Sequence, residues 1–395
     1  MKKIELMAPA GSLSTLRAAV NAGADAVYFG LKEFSMRANA KNFEVSDLDE
    51  LRTICNSSPR KVKMYLTLNT IIYDDELSKI EETIKKVKGK IDAVICWDMA
   101  IISLCKKYKI PFFISTQASV ANKDAALFYK HIGAERVVLA RELSLEQVKE
   151  ISKFVDTEVF VHGAMCVSIS GRCFTSQFLY GKSANRGECL QPCRRAYKII
   201  DEQTGKELKL ENSKVMSAKD LCTLPFIGKL KDSGVVSFKI EGRNRDERYV
   251  DTVVRAYRKA IDKNLSQKEI DESLEELKKV YNKEFSAGFY LGVPTSDDFS
   301  KEENSAATEK KHFVALVTKY LPKIGVALLK VSSPFKVGDK VCVIGPETGI
   351  IYSNVQKIEI NNSSVKEAKK GDEVGIKLPK VKKNDEVYII LDNLS

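Results

Sequence analysis

Through the first 250 residues one arrangement of apolar and polar positions repeats. A short, nearly all-apolar run gives way to a stretch whose apolar residues recur every three or four positions. Then another apolar run follows. The apolar runs are IELMAPA (4–10), AVYFGL (26–31), VKMYLTLN (62–69), AVICWD (93–98), FFISTQA (112–118), RVVLAREL (136–143), EVFVHGAM (158–165) and SFKIEGR (237–243). Helical stretches such as SLSTLRAAVNAG and SKIEETIKKVKGK lie between the early runs. Apolar strands alternating with helices predict a parallel sheet covered on both faces. Eight of them fit a closed (β/α)8 TIM-like barrel. An open doubly wound sheet is the alternative, because counting strands does not prove closure.

Many of these runs end in a polar or charged side chain: Asn69, Asp98, Gln117, Arg141 with Glu142, His162, and Glu241 with Arg243. In a barrel such ends meet on one face, where the sites of these folds lie. The link from the seventh strand to the eighth is long, an insertion over 166–231. It holds an expected hairpin, AYKIIDEQTGKELKL, turning at Thr204–Gly205, and the segment SAKDLC with Cys222. Long insertions at such a face are usually functional.

Beyond the eighth strand the pattern predicts amphipathic helices at 248–262 and 266–282, the second capped by Ser266. With them the barrel domain spans 1–294, and 295–311 reads as a polar linker. From 312 to 395 the grammar changes to short strands separated by Gly, Asn and Asp turns. That predicts a small all-β barrel domain.

The composition, 44% hydrophobic and 30% charged, is that of a globular protein. Glu5 interrupts the start of the chain, so no secretory h-region is visible. Charge-free runs stay shorter than the roughly 20 residues of a membrane helix. The expectation is a cytoplasmic protein with no membrane partner, in which thiols stay reduced.

That expectation bears on 163–193, GAMCVSISGRCFTSQFLYGKSANRGECLQPC, which holds Cys166, Cys173, Cys189 and Cys193. The same region is basic. Over 171–198, Arg172, Lys182, Arg186, Arg194, Arg195 and Lys198 face one acid, Glu188, for a net +5 within a chain of +11. A basic rim suits a polyanion such as nucleic acid, or offsets a metal–thiolate cluster.

Four uses of the thiols compete. Burial fits Cys55, Cys96, Cys105 and Cys342, which sit in apolar runs, but not the cluster. Structural zinc favours ligand pairs two to four residues apart. Cys189 and Cys193 meet that spacing, whereas Cys166 and Cys173 fit it poorly. A cysteine nucleophile wants a histidine base. His162 comes within reach of Cys166 only if the chain turns after Met165. No H-E-x-x-H or G-x-S-x-G motif is present. An iron–sulfur cluster tolerates varied spacing and suits a Gly-rich insertion at a barrel mouth best.

Several segments resemble the collagenase-like peptidase family U32: MAPAGSLSTLRAAVNAGADAVYFGL, EVFVHGAMCVSISGRC, NRGECLQPCR, SAKDLC, FKIEGR and FSAGFYLG, in family order over about 1–295. Thr175 departs from the motif, where an aliphatic residue is usual. The name implies a peptidase, one alternative for this chain. A zinc-stabilised RNA-binding module is a second. Better understood relatives are hydroxylation factors that work without molecular oxygen. One group makes 5-hydroxyuridine at the tRNA wobble position and depends on prephenate. Another acts on a cytidine of rRNA. A third works in pairs on ubiquinone precursors and carries a four-iron cluster.

The resemblance implies a [4Fe–4S] cluster on Cys166, Cys173 and Cys189, with Cys193 as fourth ligand and Cys222 as its competitor. It also implies tRNA or rRNA as partner, prephenate as a candidate co-substrate, and a second family member as a candidate partner. Within that reading Arg172, Arg186, Arg194 and Arg195 hold phosphates. Glu241 and Arg243 meet an anionic small molecule or a phosphate, and Arg37, Asn39 and His162 line the site. No residue is assigned proton transfer. The segments FKVGDKVCVIGPETG and AKKGDEVGIKL are similar to the second domain of translation elongation GTPases, which touches aminoacyl-tRNA.

Overall fold

A computed structural model describes residues 3–37, 40–195, 197–198, 200–207, 216–302 and 304–393. Strands β1 (Glu5–Pro9), β2 (Ala26–Gly30), β3 (Lys63–Thr67), β4 (Ala93–Cys96), β5 (Phe112–Ile114), β6 (Arg136–Val138) and β7 (Thr157–Gly163) pair in parallel, each with the next. Strand β8 (Asp220–Cys222) belongs to the insertion. Strand β9 (Ser237–Ile240) closes the cylinder, pairing in parallel with β1 through Leu6 and Phe238 and with β7 through Val159 and Phe238. The eight expected strands are therefore the barrel, and the open-sheet alternative falls.

Helices α1 (Leu13–Ala22), α2 (Leu48–Asn56), α3 (Leu77–Val87), α4 (Met99–Tyr108), α5 (Lys123–His131) and α6 (Leu145–Ser152) return the chain after the first six strands. Their starts are written in the sequence. Ser12, Asp98, Asn122 and Ser144 each accept a hydrogen bond from a first-turn backbone N–H, satisfying donors that have no partner within the helix.

Inside the cylinder Met7, Tyr28, Tyr65, Ile95 and Phe113 form an apolar cluster. Beside it lies a buried ionic plug. Arg136 bridges Glu5 (2.6 Å) and Glu158 (3.1 Å), and Lys239 reaches Glu158 at 3.0 Å. The charges balance in pairs, as burial requires. Core and plug together fill the barrel, leaving its mouth as the place for a site.

The insertion adds α7 (Thr175–Tyr180), β8, which pairs antiparallel with the end of β7, and α8 (Ile227–Lys231). The expected hairpin is present as a bridge between Ile200 and Glu207, with Gly205 at φ 68° in its turn. The end of the expected hairpin segment, 208–210, lies outside the described residues. Helices α9 (Glu247–Asp262) and α10 (Gln267–Lys278) follow, Ser266 capping the second as expected. A two-residue strand, β10 (Phe285–Ser286), then pairs with β8.

The polar stretch after residue 295 is a strap rather than a free linker. Ser300 N–H donates to Ser217 O (2.7 Å), Ala306 N–H to Asn282 O and Thr308 N–H to Lys278 O (both 2.9 Å). The first strand of the C-terminal domain, β11 (Glu309–Leu321), already begins within it.

That domain is antiparallel throughout. Its further strands are β12 (Val326–Val331), β13 (Phe335–Lys336), β14 (Lys340–Gly345), β15 (Gly349–Asn354), β16 (Ile358–Ile360), β17 (Ser363–Val365), β18 (Glu367–Ala368), β19 (Glu373–Lys377) and β20 (Glu386–Asp392). They surround one core that includes Val314, Leu329, Val343, Ile376 and Val387. A second set of residues, Cys342, Ile344 and Ile350, joins the barrel's core instead, where β15 packs on α1 and α9. Arg248 pairs with Glu309, and Arg17 Nε donates to Pro346 O (3.0 Å) across the joint. No helix among the described residues is long and apolar enough to cross a membrane.

Candidate active site at the barrel mouth

A cavity opens where the barrel strands end. Its wall carries five cations, Arg37, Arg141, Arg194, Lys239 and Arg243, against one carboxylate, Glu241. Three thiols, Cys166, Cys189 and Cys193, face the same space.

The arginines are held firmly. Arg243 Nη1 donates to Ser35 Oγ and Thr67 Oγ1, both at 2.8 Å. Its path is cleared by Gly30, where an added Cβ would stand 2.3 Å from that nitrogen, and by Gly11, where it would stand 2.1 Å from the Arg243 carbonyl oxygen. Arg37 has a left-handed backbone, φ 76°, a strained state for a residue with a Cβ. From there its guanidinium reaches Glu241 at 3.1 Å. Arg141 lies 3.9 Å over the Phe160 ring and donates to Ala164 O at 2.8 Å. Its Nε is buried without a hydrogen-bond partner, a donor left over for a ligand.

The electrostatics follow from this crowding. Burial works to raise the Glu241 carboxyl, but Arg37, Arg141 and Arg243 outweigh it and hold it at about 2. Burial lowers the Arg243 guanidinium to about 10. Burial also lowers Lys239, with Glu158 opposing it. Glu158 offsets Lys239 and Glu241 offsets Arg37, so Arg141, Arg194 and Arg243 leave the hollow positive, and the chemistry it favours is the binding of an anion.

The thiols divide by environment. Cys166 is exposed and stands 3.7 Å from Ser168 Oγ. Burial acts to raise Cys173, yet hydrogen bonds from Thr175, and one from Ser168, bring it below the ordinary thiol value. Burial raises Cys193 to about 11; Arg194 opposes this, and charge on Cys166, Cys189 and Cys173 adds to it. Cys166, Cys173 and Cys189 are thus all within electrostatic reach of Cys193. Cys222 is elsewhere. It is buried on β8, raised to about 11 by burial, and its Sγ lies 3.8 Å from the Tyr257 hydroxyl. It lines a separate hollow with Phe226, Phe285 and Leu291.

Among the described residues no three His, Cys, Asp or Glu side chains are gathered tightly enough to grip one metal ion. A ready zinc tetrahedron needs thiolates about 2.3 Å from a single centre. A four-iron cluster is wider and takes its thiolates from farther apart. Its negative charge would meet the five cations of the wall.

The mouth gathers Arg37, Cys166, Cys189, Cys193, Arg194, Glu241 and Arg243 as the sequence led one to expect, with Cys173 at its edge. Other expected residues lie elsewhere. His162 is only 1% exposed and packs against Tyr249, Tyr257 and Phe285, so burial lowers it to about 3. Arg172 lies over Trp97 and donates to Gln117 O, propping the wall from behind. Arg186 is spent on Glu76 and on Ile71 O. Arg194 staples the insertion to the barrel by donating to Met165 O (2.8 Å) and Ala218 O. Arg195 is exposed, over the Tyr180 ring at 5.1 Å. Asn39 lies outside the described residues.

Lys239 and Tyr28 were not expected in the wall. A signal for Lys239 existed: a lysine inside the apolar strand SFKI has no solvent to reach, so it must meet a buried acid.

The family model for Peptidase family U32 matches residues 11–300. The chain belongs to peptidase family U32. Relatives within it carry two kinds of name. An uncharacterized protease of Methanocaldococcus jannaschii is 40% identical over 410 aligned residues, all of both chains. A collagenase of Porphyromonas gingivalis is 38% identical over 97% of both chains. The tRNA hydroxylation protein P1 of Bacillus subtilis is 36% identical over 88% of this chain and 84% of its own. The U32 match covers the barrel from α1 onward and the whole cysteine insertion.

Proposed function

We propose that this protein hydroxylates RNA, with a tRNA uridine as the substrate and 5-hydroxyuridine as the product, at the barrel-mouth cavity. The observation that carries this reading is the meeting of four thiols with a positive hollow at one mouth. Cys166, Cys173, Cys189 and Cys193 would hold a [4Fe–4S] cluster. Bound there, such a cluster would supply one-electron transfer.

The chain's own residues do the rest. Arg37, Arg141 and Arg243 bind an anionic group, a phosphate of the RNA or the carboxylates of a small co-substrate such as prephenate. Glu241 keeps those guanidiniums close to one another despite their repulsion, which fixes their orientation before the ligand arrives. The hydroxyls of Ser35 and Thr67 lock Arg243 in place. Tyr28 and Phe160 give the hollow dry walls, where electrostatic contacts gain strength.

The peptidase reading has the relatives' names in its favour, but the mouth offers it little. His162 is buried with Tyr249 and Tyr257 rather than beside a cavity thiol. The other two histidines sit at the end of α5 and in β11.

The test is anaerobic purification followed by nucleoside analysis. The reading expects brown protein with four irons per chain, and a host lacking the protein to lose a uridine species 16 mass units heavier, with or without oxygen in the culture. Colourless protein that cleaves casein or collagen, with tRNA and rRNA unchanged in the deletion, overturns it.

A further inference from the structure

Helix α7 is built inside out. Its one buried side chain is Ser176, whose hydroxyl accepts the Leu190 N–H at 3.1 Å and lies 4.0 Å from Cys189 Sγ. Its outward side chains are large and apolar. Phe178 is 84% exposed, Phe174 56% and Leu179 51%. Water gains nothing from such a face, and single surface phenylalanines are ordinary, but a run of them on one short helix marks an interaction site.

The two phenylalanines form a pair, ring centroids 6.2 Å apart and tilted by 44°. They are followed on the helix by Tyr180, which carries the Arg195 guanidinium over its ring and accepts a hydrogen bond from it. Phe174 directly follows Cys173, so the ledge begins where the thiol rim ends.

We infer that the Phe174–Phe178 ledge is a stacking platform for unpaired nucleobases that flank the target nucleotide. This rests on the proposed RNA substrate. Nucleobases fit the observations better than an apolar protein surface does. Every base offers a flat face to an aromatic ring, while its phosphate needs a nearby cation, and Arg195, held over Tyr180 at the end of the ledge, supplies it. A protein surface would leave Arg195 and Lys182 to be desolvated. The ledge selects for strands whose bases are free to turn outward, which a duplex cannot offer.

The test uses the full-length protein, purified without oxygen, and a hairpin RNA with 2-aminopurine in its unpaired loop. The same sequence annealed into a full duplex serves as comparison. The wild type is expected to bind the hairpin and quench the fluorophore. Phe178→Ala combined with Phe174→Ala should weaken hairpin binding by at least the roughly 5- to 140-fold that the loss of one aromatic–base stack brings. Quenching should vanish, while iron content, duplex affinity and the salt dependence stay as in the wild type, because no phosphate contact is removed. Phe178→Trp should keep both affinity and quenching.

If the double variant binds and quenches like the wild type, the platform is overturned and the hydroxylase reading stands. If the wild type binds no hairpin, both fall together. If sedimentation shows the wild type to be a dimer that the double variant dissolves, the ledge is a protein interface and the inference is overturned.

Discussion

Arg37 and Glu241, 204 positions apart in sequence, meet at 3.1 Å across the mouth of the barrel. The contact joins the loop after β2 to the end of β9, on opposite sides of the point where the cylinder closes at β1. Glu241 is the one carboxylate among five cations there, so its charge holds several guanidiniums together.

Replacing it with glutamine should show this. Glu241→Gln keeps the shape but leaves buried arginines facing one another. Stability measured by urea unfolding at low salt is expected to fall by about 3–5 kcal/mol. Added sulfate should restore more stability to the variant than to the wild type, because an anion can take the empty place. Equal stabilities would mean that the arginines are solvated well enough to need no counter-charge.

The thiols give a second prediction. After anaerobic reconstitution Cys166→Ala, Cys173→Ala, Cys189→Ala and Cys193→Ala should each lose most bound iron. Cys222→Ala should retain it, since that thiol faces a different hollow beside Tyr257. Iron and sulfide analysis decides between them. Loss on replacing Cys222 with full retention on replacing Cys193 would exchange their roles.

The arginines of the insertion should separate by salt dependence. Arg195→Gln removes an exposed charge, so the slope of log K for single-stranded RNA against log salt should flatten by about 0.7. Arg186→Gln should leave the slope alone and lower stability by about 1–3 kcal/mol, because it takes the guanidinium away from the Glu76 carboxylate and the Ile71 carbonyl. A flattened slope for Arg186→Gln would return that residue to the RNA.

His162 sets a pH dependence. It is neutral in the folded protein down to about 3, against 6.5 for a free side chain, because burial disfavours its charge. The unfolded chain therefore binds the extra proton first as pH falls. Stability from this residue is complete above 6.5 and declines below it, by about 2 kcal/mol between pH 7 and pH 5. His162→Gln should lose that part of the decline in denaturant titrations at the two pH values. An unchanged decline would place the titrating group elsewhere.

The barrel was legible because its strands are apolar runs and its helices carry their caps in the sequence. Even so, β5 stops at Ile114, four residues short of the expected run. Ser115 caps a tight turn over Thr116–Ala118 that aims Gln117 at the cavity. The thiol rim was legible as well, since its cysteines crowd into one segment. What stayed hidden was pairing over distance. Arg186 looks like any other cation of a basic rim until Glu76, 110 positions earlier, is brought beside it. Likewise His162 ends a strand like a site residue, yet Tyr249 and Tyr257 of α9 fold over it. The strap after residue 295 has a linker's composition, and only its backbone hydrogen bonds reveal that it is tied to α10 and the insertion.

The joint between α1, α9 and β15 has a consequence for how the protein is made. Cys342, Ile344 and Ile350 complete a core whose other members all emerge from the ribosome before them. A nascent chain that has just finished the barrel strands still shows water the greasy outer face of its first and ninth helices. That face is sealed only when synthesis passes Ile350, so the C-terminal domain acts as the last stave of the barrel, and chains cut short before it are marked for aggregation or proteolysis.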